Sequence, residues 1–537
     1  MPKGIRNGSI SPRVHSRRDF LQYSLGAMAA AGAGAALSAC GSSSGPATTS
    51  ASAGKPRRGG TLLVGMSGGG SGDTLNAGYS AENLDFARAT QLYDVLLEQD
   101  LNNALIPSLA EEITPNKDFT VWTIRLRKGV TFHNGKSLEA EDVRFTLQRI
   151  VAKNLYGAAG FFLVDAKNMK VLDPLTLQVP CHTPYSTLPW AFFNYGFAGI
   201  IPSVGYDPKK PVGTGPFMFK SFTPGQESVF VKYPNYWADG DDGKPLPYVD
   251  KVVITDYTDE TSLVNALVSG VVDCIAPLTY VSIANLKSAG QSTVVSNAGF
   301  WVPFTMRTDV APFNEVDVRQ AFRLIVDRPQ MLKQVFGGYG LLGNDIFSMQ
   351  DPAYDHAIPQ RAQNIDQAKF LLKKHGLQPM TTSLVTGPIF DGSVEAATVF
   401  AEQAAAANVK VNLQQTPVTE YYGPNYLKWV FAQDWWGPNP YLVTASQATV
   451  KTASLNECHF ANPRYNQLYA EALAQPVGAK QTEIIHEMCM IDYTEGGYII
   501  PFYAPLVDGF SPKLVGPVSN KIGSLSAQYF KSFWFKS

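Results

Sequence analysis

The stretch at 121–135 reads VWTIRLRKGVTFHNG, and three residues later 139–147 reads EAEDVRFTL. Apolar and polar residues alternate over 121–126, which is typical of a half-buried strand. Lys128-Gly129 and Asn134-Gly135 are typical of tight turns. Acidic residues at the start of 139–147 favour a helix that begins there, because the helix dipole stabilises negative charge at its N-terminus. The stretch therefore predicts a strand, two turns and a helix in direct succession.

Strands and helices are predicted to alternate on both sides of this stretch. The apolar run at 59–66 predicts a buried strand, and Val252-Val253-Ile254 predicts another. Asp259 is a suitable cap for a helix that follows the second strand as far as Gly270. Periodicity alone thus predicts a mixed α/β chain, and 537 residues are enough for two or three packed domains.

Five segments, in one consistent order within residues 59–537, resemble the family-5 extracellular solute-binding proteins. That family includes the oligopeptide and dipeptide receptors of bacterial ATP-driven importers. The segments lie within 107–147, 211–237, 252–273, 312–328 and 364–376. In the fourth, Val326-Asp327-Arg328 is expected to continue the helix before it. In the fifth, His375-Gly376 is expected to end a helix, with glycine in the cap.

This resemblance implies a fold and a division of the chain. The fold is a two-lobed α/β body of the periplasmic-binding-protein type, class II, with a ligand cleft between the lobes and an extra subdomain in the first. Lobe I is expected at 57–300 with its subdomain at about 101–190, lobe II at 301–494, and a return to lobe I at 495–537. The implied function is that of an ABC importer receptor, a monomer that binds a small solute or peptide and docks on permease subunits.

The N-terminus predicts export and lipid anchoring. Arg17-Arg18 followed by Phe20-Leu21 precedes a short apolar run, an order that resembles a twin-arginine signal. Leu37-Ser38-Ala39-Cys40 resembles a lipobox, in which the cysteine is lipidated after cleavage. We therefore expect a signal peptide at 1–39 and a lipidated Cys40 with a flexible linker at 40–56. The protein would then be anchored to the outer face of the cytoplasmic membrane.

Charge and motifs argue against several other partners. Lys and Arg total 44 against 45 Asp and Glu, and no long basic run marks a nucleic-acid site. Without 1–39 the counts are 39 and 44, so the mature body is mildly acidic. The glycine-rich turn at 67–72 is followed by Asp73 where a phosphate-binding loop needs Gly-Lys-Ser/Thr. Gly213-x-Gly215 is interpreted as a tight backbone crossing.

Cysteines and histidines predict neither a metal site nor a cofactor. Cys181, Cys274, Cys458 and Cys489 have long, irregular spacings without Cys-x-x-Cys. They are either packed free thiols or, in an oxidising compartment, include a disulfide. Cys458-His459 is an adjacent pair without partners at ligand spacing. The seven histidines are scattered, and no nucleophile with its base and no paired carboxylates can be nominated, so catalysis is not expected.

Aromatic side chains are the main candidates for ligand contact, since flat rings stack on variable solutes with little entropy loss. The unusual run 433–441, QDWWGPNPY, is expected to form a loop at the cleft because Gly and Pro follow the tryptophans. The candidate ligand-binding residues are Trp301, Arg307, Asp345, Tyr421, Tyr422, Asp434, Trp435, Trp436 and Asn439.

The same run departs from the family pattern. Peptide receptors of this group commonly place an aspartate three residues before an Asp-Pro pair, where it pairs with the peptide's α-ammonium. Here Asn439-Pro440 matches the pair and Trp436 occupies the aspartate position. Asp434 or Asp345 is then expected to substitute, or the solute is an oligosaccharide or another uncharged molecule. An exported hydrolase and a structural lipoprotein are the remaining alternatives.

Overall fold

The computed structural model describes residues 55–80 and 83–536. The signal at 1–39, Cys40 and the linker as far as residue 54 lie outside the described residues. No helix in the described part is both long enough and apolar enough to cross a membrane.

Strands and helices alternate along the chain. The strands are β1 Thr61–Ser67, β2 Leu97–Gln99, β3 Leu105–Pro107, β4 Ala110–Pro115, β5 Val121–Leu126, β6 Lys170–Asp173, β7 Thr176–Pro180, β8 Phe217–Thr223, β9 Glu227–Lys232, β10 Lys251–Tyr257, β11 Cys274–Leu278, β12 Ser292–Trp301, β13 Phe304–Met306, β14 Leu341–Leu342, β15 Met380–Thr386, β16 Val409–Gln415, β17 Phe431–Gln433, β18 Tyr498–Ile499, β19 Phe502–Phe510, β20 Leu514–Val515 and β21 Trp534–Phe535. The helices are α1 Asn83–Leu92, α2 Ala140–Ala152, α3 Tyr195–Ala198, α4 Glu260–Val268, α5 Ser282–Ser288, α6 Val316–Ile325, α7 Arg328–Phe336, α8 Ile365–Lys374, α9 Ser393–Ala405, α10 Val418–Tyr421, α11 Tyr441–Ala448, α12 Pro463–Leu473 and α13 Ala479–Glu495.

The first lobe is built on a large mixed sheet with the strand order β12-β19-β11-β1-β10-β9-β8, and β14 pairs with β19. β1 runs parallel to both β10 and β11. β19, which is late in the chain, lies between β11 and β12 and is antiparallel to both. Strands from 61–67 and 217–301 thus share one sheet with the late strand at 502–510.

The second lobe is built on a five-stranded sheet with the order β16-β15-β17-β13-β18. β15 runs parallel to β16 and β17. The chain passes directly from one sheet to the other at 301–304 and at 499–502, because β12 leads into β13 and β18 leads into β19. The predicted two-lobed α/β fold is confirmed; the residue bounds given for each lobe stay predictions.

Within the stretch at 121–147, strand β5 lies in a separate four-stranded sheet with the order β4-β5-β7-β6. This sheet belongs to the first half of the chain. β5 covers the residues predicted as a strand, and Gly129 and Gly135 adopt positive φ in the predicted turns. α2 begins with a reciprocal capping box between Glu139 and Asp142. The local patterns were sufficient here because each element is specified by its own residues.

The expected single helix through Val326-Asp327-Arg328 is wrong. α6 ends at Ile325, and Val326 is extended with φ −78° and ψ 116°. The Asp327 carboxylate accepts a hydrogen bond from Gln330 N at 2.9 Å and so caps a new helix, α7. Pro329 lies in the first turn of α7, where its missing N–H is not needed.

The Gly213-x-Gly215 segment is a close crossing of two backbones, as predicted. A Cβ on Gly213 would lie 1.9 Å from the Leu92 carbonyl oxygen, and Gly215 N donates to that same oxygen at 3.0 Å. Glycine is required here by steric contact, since Gly213 has no positive φ.

The four cysteines that the structure describes are free thiols. Cys274, Cys458 and Cys489 are buried, and Cys181 is half-buried. Of the two alternatives, packed free thiols is therefore the one that this structure contains.

Candidate functional site

The parallel strands of the two sheets position the candidate site. In open α/β sheets, ligands bind beyond the carboxyl ends of the strands. In the second lobe, β15, β16 and β17 lead into loops at 387–392, 416–417 and 434–440. The last of these contains the tryptophan run that the sequence analysis singled out. Asn103 Nδ2, from the first half of the chain, donates to the Pro438 carbonyl at 3.2 Å, so this loop meets the first lobe.

Three nearly parallel rings form an aromatic plate, made of Phe300, Phe390 and Trp435. Their centroids are 5.4 Å apart for Phe390 and Trp435, 5.8 Å for Phe300 and Phe390, and 6.5 Å for Phe300 and Trp435. Phe300 comes from β12 of the first lobe and the other two from loops of the second. Trp435 is 38% exposed. The plate therefore joins the lobes and leaves an indole face that can stack on a flat solute.

Trp301 and Trp436 lie behind the plate and are buried. Their rings stack at 5.8 Å and 14°, and their backbones exchange two hydrogen bonds of 3.0 and 3.1 Å. Trp301 also stacks on Phe347 at 5.8 Å. Because Trp301 is fully buried, it can support the residues that line the cleft but cannot contact a solute directly.

Asp434 lies under the plate with its carboxylate fully hydrogen-bonded. It accepts bonds from the Tyr422 hydroxyl at 3.1 Å, the Tyr426 hydroxyl at 2.8 Å and Trp435 N at 2.8 Å. The Glu457 carboxyl lines the same small pocket, and burial raises the pKa of Asp434. Asp434, Tyr422 and Trp435 were predicted from the sequence as ligand-binding residues, and the structure brings these three together.

Glu457 was missed by sequence reasoning. Its Oε1 accepts the Trp436 indole N–H at 3.0 Å, and its Oε2 accepts the Tyr498 hydroxyl. Burial, and next the Asp434 charge, raise its pKa well above the usual range. Glu457 precedes Cys458-His459, but a lone glutamate carries no sequence signal of these contacts.

Asp345 is not placed as a ligand anchor. Its carboxylate is fully buried and receives two bonds from Arg328 Nη2, at 2.6 and 2.7 Å, and one from Arg361 Nε at 2.7 Å. Ile500 N adds a fourth bond at 3.0 Å. These partners occupy the carboxylate, so its geometry argues for a structural role.

Arg307 lies away from the aromatic plate. Its guanidinium forms two bonds of 2.7 Å with Asp309, and its backbone N–H donates to Val430 O, at the opposite end of β17 from Asp434. The geometry therefore does not support Arg307 as a charge anchor for a solute at the plate.

Tyr421 and Asn439 occupy supporting positions. Tyr421 is fully buried, and its hydroxyl donates to the Gln433 carbonyl at 2.5 Å, which holds the end of β17. Asn439 is half-buried, and its backbone N–H donates to Gly437 O at 2.9 Å within the loop.

A cavity of about 560 Å³ lies at the carboxyl end of β1 in the first lobe. It is lined by the glycine-rich loop at 68–72 and by Asp73, Tyr79 and Tyr156, among others. Asp73 is paired with the buried Arg88 at 2.8 Å. The cavity gives the first lobe a polar surface at the same kind of strand end as the plate in the second.

The structure gives little support to catalysis or to metal binding. Gly65-Met66-Ser67-Gly68-Gly69 has the spacing of a hydrolase nucleophile elbow, but a glycine loop and not a helix follows Ser67. Among residues 55–80 and 83–536, no three His, Cys, Asp or Glu side chains are arranged to hold a metal ion.

Comparisons with known proteins agree with this architecture. Residues 104–453 match the family described as bacterial extracellular solute-binding proteins, family 5. Heme-binding protein A of Haemophilus influenzae is 24% identical over 478 residues, which are 81% of this chain and 86% of that protein. The chain is also similar to the solved structure of the ABC transporter-associated binding protein DppA from Helicobacter pylori with the peptide STSA. There the TM-score is 0.75 at 20% identity, covering 90% of this chain and 99% of the other.

A third similar structure is AgaA from A. tumefaciens R10 in complex with agropinic acid, with a TM-score of 0.74 at 21% identity and coverage of 89% of this chain and 99% of that one. The two α/β lobes with facing strand ends define a two-lobed binding protein. The chain belongs to the family-5 extracellular solute-binding proteins of bacteria.

Replacing Trp435 by alanine is expected to weaken solute binding by about 1–3 kcal/mol, because the exposed indole is the part of the plate free to stack. The measurement is calorimetric titration of wild type and variant with a solute that the wild type binds. Val430→Ala, in which an exposed side chain beside Arg307 is shortened, serves as the control and should leave affinity unchanged. Equal affinity of the Trp435 variant and the wild type would remove the plate from the binding site.

Proposed function

We propose that the protein is the extracytoplasmic receptor of an ABC importer, which captures a solute between its lobes and delivers it to permease subunits. The observation that carries this proposal is the half-exposed aromatic plate, built from both lobes where the chain passes between them. The family description as extracellular solute-binding proteins supports it. So does the similarity to an ABC transporter-associated binding protein that holds a peptide.

Lobe closure would couple capture to delivery. A solute that contacts both lobes binds the closed arrangement more tightly than the open one, and so shifts the population towards closure. The two chain passages at 301–304 and 499–502 are the segments able to absorb such a motion. A permease that recognises the closed body would then receive only loaded receptors.

We infer a peptide or a solute of similar size that is recognised through a flat face. Trp436, at the position where related peptide receptors commonly have an aspartate, is 6% exposed and stacked on Trp301. Asp434 is 3% exposed and already receives two tyrosine hydroxyls. A free α-ammonium would therefore find no carboxylate at position 436, and the carboxylate of Asp434 is already occupied. This arrangement favours recognition of the solute by stacking. Oligosaccharides and other uncharged solutes remain the alternative ligand class.

The deciding experiment combines mass spectrometry with calorimetry. Gently purified protein is denatured and the released small molecules are identified. The protein is then titrated with free peptides, N-acetylated peptides and oligosaccharides. Equal affinity for free and N-acetylated peptides supports recognition without an ammonium anchor. Binding of an oligosaccharide with no response to peptides would contradict the peptide assignment, and no binding of any solute would contradict the receptor function.

Cys40→Ala is expected to release the protein from membranes, because the thioether to diacylglycerol forms on that thiol. The motivation is the lipobox-like Leu37-Ser38-Ala39-Cys40 followed by a Gly/Ser-rich linker. The measurement is membrane fractionation with metabolic labelling by a radioactive fatty acid. Cys181→Ala is the matched control and should stay membrane-bound and labelled. A Cys40→Ala protein that still fractionates with membranes would show that another part of the chain anchors it.

A further inference from the structure

We propose that Glu457 is a positioning residue for the solute site: it holds Trp436 and Tyr498, and through them the aromatic plate and both chain passages, in the arrangement that binds. This inference rests on the proposed receptor function. Glu457 lies on none of the strands that form the plate, and nothing in its sequence neighbourhood marks it.

Glu457 is linked to both chain passages, to the first through Trp436 and to the second through Tyr498. Trp436, which donates its indole N–H to Glu457, exchanges backbone hydrogen bonds with Trp301, the last residue of β12. Tyr498, whose hydroxyl donates to the other carboxyl oxygen, is the first residue of β18. The rings of Trp301 and Tyr498 also meet edge to face at 5.4 Å. The Glu457 carboxyl thus links the passage that begins at Trp301, through Trp436, with the passage that follows Tyr498.

The Asp434 carboxyl extends this arrangement to the plate. Asp434 and Glu457 line the same small pocket at the end of β17, and Asp434 accepts the backbone N–H of Trp435, the exposed member of the plate. Burial raises the pKa of both carboxyls, and the Asp434 charge raises the pKa of Glu457 further.

The two carboxyls are surrounded by neutral groups. The ionisable groups that face the pair are Tyr421, Tyr422, Tyr426, Tyr498 and Cys458. Burial raises the pKa of each of them, so all five are neutral at neutral pH. Within 55–80 and 83–536, neither Asp434 nor Glu457 forms a salt bridge with a lysine, arginine or histidine. Removing the Glu457 carboxyl leaves the Trp436 indole N–H and the Tyr498 hydroxyl without this acceptor.

Two substitutions separate positioning from bulk stability. Glu457→Gln keeps an amide oxygen that can accept the Trp436 indole N–H and an amide N–H that can donate to the Tyr498 hydroxyl oxygen. Glu457→Ala removes both. The readouts are the NMR signal of the Trp436 indole N–H, assigned by its loss in Trp436→Phe, and the affinity for the solute released from the purified wild type by denaturation.

Asp94→Asn is the matched control for the indole signals. Asp94 is a buried carboxyl of the first lobe whose pKa burial raises to about 6, and it accepts the Trp237 indole N–H at 2.9 Å. This variant should move the Trp237 signal and leave the Trp436 signal and the affinity as they are.

Glu457→Ala is expected to shift the Trp436 signal and to lower affinity at least about tenfold. Glu457→Gln should leave both close to wild type. Unchanged affinity in Glu457→Ala, or an equal loss in Glu457→Gln, would overturn the proposal. If no solute binds to any form, the receptor function fails, while the indole signals still report whether Glu457 holds Trp436.

Discussion

Asp345→Asn is expected to lower the free energy of unfolding by about 3–5 kcal/mol, because it leaves buried guanidinium groups without their counter-charge. Arg328 and Arg361 both bond to this carboxylate, and Arg323 Nε lies 4.0 Å from it. Burial alone would raise the pKa of Asp345, but these guanidiniums hold it below its usual value. The measurement is urea-induced unfolding followed by fluorescence.

Asp242→Asn is the control for this prediction. The Arg58–Asp242 pair has the same 2.7 Å contact, but its side chains are 23% and 25% exposed, so its loss should cost no more than about 1 kcal/mol. Solute affinity should be unchanged in Asp345→Asn under conditions where the protein is folded. Retained stability with lost affinity would instead restore Asp345 as a ligand anchor.

Trp301→Ala is expected to lower the free energy of unfolding by about 3–5 kcal/mol, the range for deleting a large buried aromatic side chain. The cavity would open between Phe347, Trp436 and Tyr498, all of which contact the indole. Urea-induced unfolding measures this loss of stability, and the dependence of the free energy of unfolding on urea concentration is compared between variant and wild type.

Trp435→Ala provides the contrast within one stack of tryptophans. Its indole is half exposed, so the variant should lose less than about 1 kcal/mol of stability while losing solute affinity. The two variants thus separate a supporting indole from a contacting one. Near-wild-type stability in Trp301→Ala would show that the buried stack contributes little to holding the lobes together.

Local sequence patterns predicted the elements that their own residues determine. The alternation at 121–126 and the acidic start of α2 both correspond to observed elements. The prediction of a continuous helix through Val326 failed because a capping aspartate and a proline close to it specify the start of a new helix. The insertion of β19 between β11 and β12 has no local signal, since it depends on pairing across more than 200 residues.

The candidate site was predictable in part for the same reason. Trp435 and Asp434 are adjacent in a Gly/Pro-rich run, and that run forms a loop at the end of β17. Phe390 and Glu457 join them from distant segments, and neither stands in an unusual sequence. Asp345 resembled a free anchor in the sequence because its partners, Arg328 and Arg361, lie 17 and 16 residues away. A carboxylate's availability depends on such partners, and single-sequence patterns do not identify them.

The position of β19 has a consequence for synthesis of the protein. The large sheet cannot be completed until residue 510 has left the ribosome, because β11 and β12 are separated by a strand made more than 200 residues later. Until then the nascent first lobe carries two unpaired strand edges, the kind of surface on which chains aggregate. Completion of this sheet therefore has to wait until almost the whole chain has been made, and termination before β19 would yield a product in which β11 and β12 lack their shared partner strand.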